Sequence, residues 1–495
     1  MTKIRKIPAV MFSQHPDNAC KPYWHSQPCV ETHHEIREAY LMFREMGAQE
    51  MMWDWEGKFV DESVVERFLG SYPEFFQKKS LGRDLFLTFR IPNPRVESGY
   101  RLGRAFMAIL AAGHAAQVAG FHTPPLFEVI LPMTEKAAEI ASVQESFVRI
   151  AEAASRSFGP TGMSEAGIEV IPIFESIDAI LKSGETLKEY LEMTRIKPVY
   201  LRPFCARSDP ALNSGIVPTT LAIKWALSEY AKLSEATGVA MYPIIAPGAL
   251  PFRGGLTPQT TRQFLAEFPG VKTIVIQSAF RYDYPQGKVK NAIKVISETV
   301  ADAQPAIVGE EKLRDIKTIR PWFEAPYQRA VVQMAPLVEK MAAQVPKRRE
   351  RVQHIGLFGY ARQMGKTRLP RAIGFTASCY SLGIPPEILG TGRGLKKARK
   401  EGKLGVIEQL YTELRPALSR SGRYLRRESV RELGLREVAE EIKMVEEYLG
   451  EKLGPKTAAE EQHQQLSSKI VRAMLEGKGA APEVEQAAVL RRSVG

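Results

Sequence analysis

Short, nearly continuous apolar runs recur along the first 290 residues, at 7–12, 50–55, 85–89, 126–131, 168–174, 199–204, 239–245 and 273–276. A strand with one face in water alternates apolar and polar positions. These runs are apolar on both parities, as parallel strands covered on both faces are. Helix-length amphipathic stretches lie between them, for example 98–119 and 221–237. Each run is followed by a landmark: His15, Glu56, Arg90, Met133, Glu175, Asp209, Gly248 and Gln277. Successive landmarks are spaced by between 29 residues (Gly248 to Gln277) and 43 (Arg90 to Met133). One strand, one return helix and their loops fill such a span, and eight such units close into a (β/α)8 TIM-type barrel. In that fold every strand ends on one rim, so the landmarks are predicted to share a single mouth.

After residue 290 the period changes to that of helices, at 291–300, 312–315, 328–344, 372–382, 406–419 and 429–449, and strand signals almost vanish. The chain is therefore read as a catalytic barrel, residues 1–290, and a mainly α-helical C-terminal region, residues 291–495, packing on it and contributing to the site. The stretch 453–461 and the tail from Gly477, with Gly, Ala, Pro and scattered charge, are expected to pack loosely.

A chain of 495 residues, 44% of them hydrophobic, can bury a sizeable core. No window approaches the roughly 18 to 20 apolar residues of a membrane span, and the polar start has no signal-peptide core, so a cytoplasmic location without membrane association is expected. Four cysteines without C-x-x-C spacing argue against a disulfide framework and against structural zinc. Lys and Arg exceed Asp and Glu, 68 against 56, which favours an anionic partner. The late basic runs at 347–349, 396–400 and 423–427 stand among glutamates and read as solvated helix faces, so nucleic acid is not the expected partner.

Glu175 and Asp209 follow adjacent strand runs. Two carboxylates one strand apart, about 4.8 Å, can reach one hard cation such as Mg²⁺, the lesser alternative being that each caps the helix that follows. Arg90, Arg253, Arg281 and Arg371 stand at strand ends or turns, and Arg253 precedes Gly254 and Gly255. Guanidinium groups bind phosphate and carboxylate bidentately, so together they suit a polyanionic ligand. His15 ends the first strand, where it could act as a base or a polar clamp. His25, His33 and His34 follow, but without a helical i, i+4 pair they are not read as metal ligands. The cluster from Trp53 to Lys58 is either a tryptophan belt or a substrate contact. The glycines of 388–394 lack the Gly-Lys-Ser/Thr ending of a phosphate loop.

The segments Ser13-Gln14-His15-Pro16-Asp17-Asn18, Ala206 to Asn213 and Pro251-Phe252-Arg253-Gly254-Gly255 resemble archaeal-type phosphoenolpyruvate carboxylase, as do Leu369 to Ile373 and Pro385 to Gly392. The resemblance implies a carboxy-lyase that joins bicarbonate to phosphoenolpyruvate, giving oxaloacetate and phosphate. It implies Mg²⁺ or Mn²⁺ on Glu175 and Asp209, carboxyl transfer assisted by His15, and Arg253 on the bicarbonate-derived group. Arg371 and Arg90 would hold the phosphate. In the larger bacterial and plant enzymes a lysine follows the metal-binding aspartate by three positions; that position is Leu212 here, and Arg207 or Arg281 is expected to substitute. A homotetramer is the assembly expected from the family.

Overall fold

The computed structural model describes residues 5–57, 59–97, 99–160, 167–194, 197–350, 362–364 and 367–495; Lys58 and Ser98 of the stretches named above lie outside them. Eight strands form a closed barrel: β1 (Val10–Phe12), β2 (Glu50–Asp54), β3 (Phe86–Arg90), β4 (Glu128–Leu131), β5 (Glu169–Phe174), β6 (Phe204–Ala206), β7 (Ile244–Ala246) and β8 (Thr273–Ile276). Each pairs in parallel with its sequence neighbour, and β8 closes on β1 through Val10↔Ile274 to Phe12↔Ile276.

The runs at 199–204 and 239–245 extend one stride further than read, because Pro203 and Pro243 cannot donate to a ladder. Tyr200–Leu201 and Ala240–Met241 pair with each other as a separate parallel ladder, and the barrel strands resume beyond each proline.

Alternate residues of each strand fill the barrel in layers. At its N-terminal end Arg202 pairs with Glu50 at 2.7 Å and Glu128 at 2.6 Å, with Thr88 and Thr273 completing the network. Above lies an apolar plug of Met11, Met52, Ile130, Ile171, Ile173, Phe204, Ile244 and Val275. The next inward positions, Asp54 and Arg90, open the polar mouth. The outward residues, Val10, Trp53, Leu87 and Phe89 among them, bury the surrounding helices in one core.

Among the described residues the later half is helical apart from one short antiparallel ladder, Arg362–Met364 with Thr367–Leu369. Readings at 312–315 and 328–344 belong to one helix, Glu310–Ala342, which runs through Pro321, Pro326 and Pro336. The run at 406–419 divides into Leu404–Leu410 and Leu414–Gly422, where Glu267 accepts from Thr412 Oγ1 at 2.7 Å and Glu413 N at 2.8 Å. Gly434, at φ +68°, divides 429–449 in the same way.

The expectation of a loosely packed tail is overturned. Thr457 and Glu460 form a capping box on the helix Ala458–Leu475, and Ala481–Arg491 packs against that helix, Val484 and Ala487 sharing a core with Leu466, Ile470 and Val471, while Ala488 meets Ala19, Ala377 and Val494. The small residues that made the tail look weakly hydrophobic are thus buried.

The glycines of 388–394 serve packing. A Cβ at Gly394 would lie 2.3 Å from the Phe323 ring, so the helix Thr391–Lys400 rests directly on Glu310–Ala342.

Candidate active site

The barrel mouth is built from the ends of β1, β2, β3, β5, β6, β7 and β8, closed by parts of the helical region. Arg90, the last residue of β3, forms a bidentate pair with Asp54 of β2, Nε to Oδ1 at 2.9 Å and Nη2 to Oδ2 at 2.7 Å. Its third nitrogen meets Glu56 Oε2 at 2.8 Å. Burial opposes the charge on Arg90, but Asp54 and Glu56 outweigh it and raise its pKa. Glu56 Oε1 lies 3.4 Å from Arg371 Nη2, which enters from the helical region with its side chain 28% exposed. One carboxylate therefore ties Arg90 to Arg371.

His15 stands among these groups, its Nδ1 2.8 Å from Ser13 Oγ. Burial, then the positive charges of Arg90, Arg253 and Arg371, hold its pKa well below the ordinary histidine value, against the pull of Asp54. The imidazole is thus kept neutral and able to accept a proton.

Arg253 is fixed by four groups. Nε donates to Ser208 Oγ at 3.1 Å, Nη1 to Asp17 Oδ2 at 3.1 Å and to the Gly495 carbonyl oxygen at 2.6 Å, and Nη2 to Gln277 Oε1. The loop carrying it is laced to the end of β7 by Gly248 N to Arg253 O at 2.7 Å and Leu256 N to Gly248 O at 3.0 Å. Phe252 N donates to Glu387 Oε1 at 2.6 Å, which couples the loop to the helical region. Gly248 is required by this arrangement, since a Cβ there would fall 2.7 Å from the Arg253 guanidinium carbon.

Asp17 joins three segments: Oδ1 accepts from Ala279 N at 2.7 Å, Oδ2 faces Arg253, and its carbonyl accepts from Val494 N at 2.7 Å. Burial pushes the Asp17 carboxyl up, opposed by Arg253.

Glu175 immediately follows β5, and Asp209 lies in the first turn of the helix Ser208–Ser214, which follows β6. The strands are hydrogen-bonded neighbours, with Ile173 opposite Phe204 and Phe174 opposite Cys205. Both carboxylates are half-buried. Glu175 acts electrostatically on Arg90, and Asp209 on Arg253. Hard oxygen donors from adjacent strand ends, beside arginines, are a donor set that fits Mg²⁺ or Mn²⁺.

The mouth thus brings together His15, Arg90, Arg253, Arg371, Glu175 and Asp209. Arg207 and Arg281 have other surroundings. The fully buried Arg207 approaches Phe252 O at 3.3 Å and Thr220 Oγ1 at 3.4 Å, and faces a small cavity lined also by Gly254, Tyr411 and Arg420. Arg281 is packed against the Phe12 and Tyr282 rings and reaches Ser278 Oγ at 2.9 Å and Glu38 at 3.4 Å. Leu212 is fully buried in the core of the helical region.

Trp53 and Trp55 are buried in the core around the barrel, whereas Asp54 and Glu56 between and after them carry the charge. Asp17 and Gly495 are site groups not expected from the sequence, and Asp54 was expected only as a member of the Trp53–Lys58 cluster. Asp17 and Asp54 are acidic residues two places from landmarks, a signal that could have marked them. Nothing in sequence indicated Gly495.

The family model described as phosphoenolpyruvate carboxylase matches residues 7–495. Among curated relatives, the phosphoenolpyruvate carboxylase of Pyrococcus abyssi is 40% identical over 460 residues, covering 90% of this chain and 95% of that protein. That of Metallosphaera sedula is 37% identical over 519 residues, covering 99% of this chain and 100% of its own. That of Leuconostoc mesenteroides is 36% identical over 478 residues, covering 94% of each. With a match reaching from the first strand to the buried tail, the chain belongs to the archaeal-type phosphoenolpyruvate carboxylase family.

Proposed function

We propose that this protein carboxylates phosphoenolpyruvate with bicarbonate, releasing oxaloacetate and phosphate, and that it does so at the barrel mouth. The observation that carries the reading is the meeting of one neutral imidazole, three guanidinium groups and two carboxylates from adjacent strand ends. Glu175 and Asp209 would hold Mg²⁺ or Mn²⁺, which when bound supplies a Lewis acid for phosphoryl and enolate charge.

In the proposed sequence bicarbonate oxygen bonds to phosphorus as the enol C–O–P link breaks at phosphorus, leaving carboxyphosphate and the enolate of pyruvate. Carboxyphosphate then separates into CO₂ and phosphate, and C3 of the enolate bonds to the CO₂ carbon. Arg371, whose side chain is 28% exposed, would bind the phosphoryl oxygens, with Arg90 behind it fixing Glu56. Arg253 would face the bicarbonate-derived group, and neutral His15 would take the bicarbonate proton. The loop around Arg253 would keep water from the enolate, which would otherwise be protonated to pyruvate.

The division into a catalytic barrel, 1–290, and a helical region, 291–495, that completes the site belongs to the same reading; Arg371 and Gly495 support it by reaching Glu56 and Arg253. Among the described residues no helix is long and apolar enough to cross a membrane. A cytoplasmic homotetramer is the assembly proposed, to be checked by light scattering on the purified chain.

A malate dehydrogenase-coupled assay tests the function. NADH oxidation should require phosphoenolpyruvate, bicarbonate and a divalent cation together. No turnover by folded, Mg²⁺-supplied protein would overturn the proposal.

A further inference from the structure

The loop between β1 and the helix Glu35–Glu45 gathers side chains that the barrel mouth does not use. A 3-10 turn, Thr32–His34, is closed by His34 N donating to Glu31 O at 3.0 Å. It is anchored from outside, where Thr32 N and Oγ1 donate to Glu350 Oε2 at 3.1 and 2.8 Å. This turn sets ligand atoms of Glu31, His33 and His34 all within 4.8 Å of one another. A fourth group, His25, brings its ring within 4.3 Å of the His34 ring, and the His33 and His34 rings are 3.8 Å apart. His25 is itself steadied by Trp24, whose indole donates to Tyr282 OH at 3.3 Å. The Nδ1 of His34 is buried and has no hydrogen-bond partner.

Sequence spacing gave no reason to group these histidines, because they lie on a folded loop and not one helical turn apart. Three crowded imidazoles oppose protonation of one another: burial, then His33 and His25, lower the pKa of His34, and Arg37 adds to the effect. Glu31 pulls the other way, its carboxylate 3.4 Å from His33 Nδ1, and it is the one charged ligand of the group. Coordination has to supply the affinity, which favours ions that take imidazole nitrogen over Mg²⁺ or Ca²⁺. Donors of a tetrahedral zinc site stand about 3.4 Å apart, a closure of roughly 1 Å that exposed side chains can make by small rotamer changes.

We propose that Glu31, His33 and His34, completed by His25, form a binding site for one Zn²⁺-class divalent ion, separate from the Glu175–Asp209 pair. Its place in the fold gives it a bracing role. Val30 N donates to Arg348 O at 2.9 Å and Glu350 N to Val30 O at 3.2 Å. The helix that begins after His34 carries Glu35 and Glu38, which hold Arg349 at 3.1 and 2.7 Å. An ion on the turn would fix the point at which residues 348–350 meet the barrel.

The test is Zn²⁺ titration of the full chain by calorimetry, after chelator treatment, in millimolar Mg²⁺. One Zn²⁺ per chain with a dissociation constant in the micromolar range or tighter is expected, together with a rise in Tm. His33→Ala and His34→Ala should each weaken binding at least tenfold, and Co²⁺ should give the visible absorption of a four-coordinate nitrogen and oxygen site. If either variant fails to fold, Glu31→Gln and His25→Ala provide the same comparison on exposed or half-exposed groups. Zn²⁺ binding that is absent, displaced by millimolar Mg²⁺, or unchanged in these variants would overturn the proposal.

Discussion

Arg253 and Gly495, 242 residues apart in sequence, meet at the barrel mouth, where Nη1 of the guanidinium donates to the glycine carbonyl oxygen at 2.6 Å. The approach leaves no room for a side chain, since a Cβ on residue 495 would lie 2.1 Å from Ile373 O and 2.7 Å from Ala377 N. Both are backbone atoms of the helix Ala372–Ser381, which cannot yield cheaply. Gly495→Ala should displace the carbonyl and release Arg253 from one of its fixed partners. An effect of roughly tenfold or more on kcat is expected, because misplacement by about 1 Å can cost 10²-fold. Paired kcat and Tm measurements check this; full turnover in the variant would contradict it.

Arg90 and Arg371 share Glu56 but should respond differently to truncation. Arg90→Ala removes the bidentate partner of buried Asp54 and one of the two arginines on buried Glu56, and breaking such a buried pair typically costs about 3–5 kcal/mol. Arg371 is partly exposed, so Arg371→Ala should leave stability nearly unchanged and raise KM for phosphoenolpyruvate. Denaturant unfolding and steady-state kinetics on both variants separate the two roles.

The barrel was legible because its strands are apolar on both parities, and the landmark spacing placed Arg90, Glu175 and Asp209 at strand ends. Local patterning cannot report where a charged side chain turns after its strand. Arg207 and Arg281 are the cations expected from sequence to stand in for the lysine absent at Leu212, yet one lies against Thr220 and the other against Phe12. The tail was misread for a related reason: Ala487 and Ala488 carry little hydrophobic signal, yet both are fully buried, one in the helical core and the other against Ala19, Ala377 and Val494. Contacts such as Arg253 with Gly495 depend wholly on tertiary closure.

His15 should not set an acidic limb near the ordinary histidine pKa. Burial and three arginines depress it, so the neutral form persists as pH falls through about 6.5. The unfolded chain binds that proton first, so His15 also contributes a loss of stability as pH falls below about 6.5. Profiles of kcat/KM, taken at constant bicarbonate, check the activity claim. A limb near 6.5 that vanishes in His15→Asn would contradict it.

Glu387 predicts a pH dependence of opposite sign. Burial pushes its carboxyl up to about 7, against the bonds from Tyr380 OH and Phe252 N. Its folded pKa exceeds the unfolded value, so ionisation favours unfolding as pH rises from about 4.5 to about 7, and the effect is flat above that. Glu387→Gln removes this slope. Relative to the parent protein, the variant should gain up to roughly 3 kcal/mol between pH 4.5 and 8, about 1.4 kcal/mol per pKa unit. Urea unfolding at the two pH values measures it, and an equal difference at both would refute the assignment.

In the proposed mechanism Asp209 and Glu175 serve one cation beside Arg253 and Arg90. Oxaloacetate formation by Asp209→Asn, followed across a range of Mg²⁺ concentrations at saturating phosphoenolpyruvate and bicarbonate, tests it most directly. The expected result is a folded protein whose kcat falls by roughly 10²-fold or more, the scale on which removing one electrostatic group acts, with a raised Mg²⁺ requirement. Turnover equal to that of the parent, at the same Mg²⁺ midpoint, would contradict it.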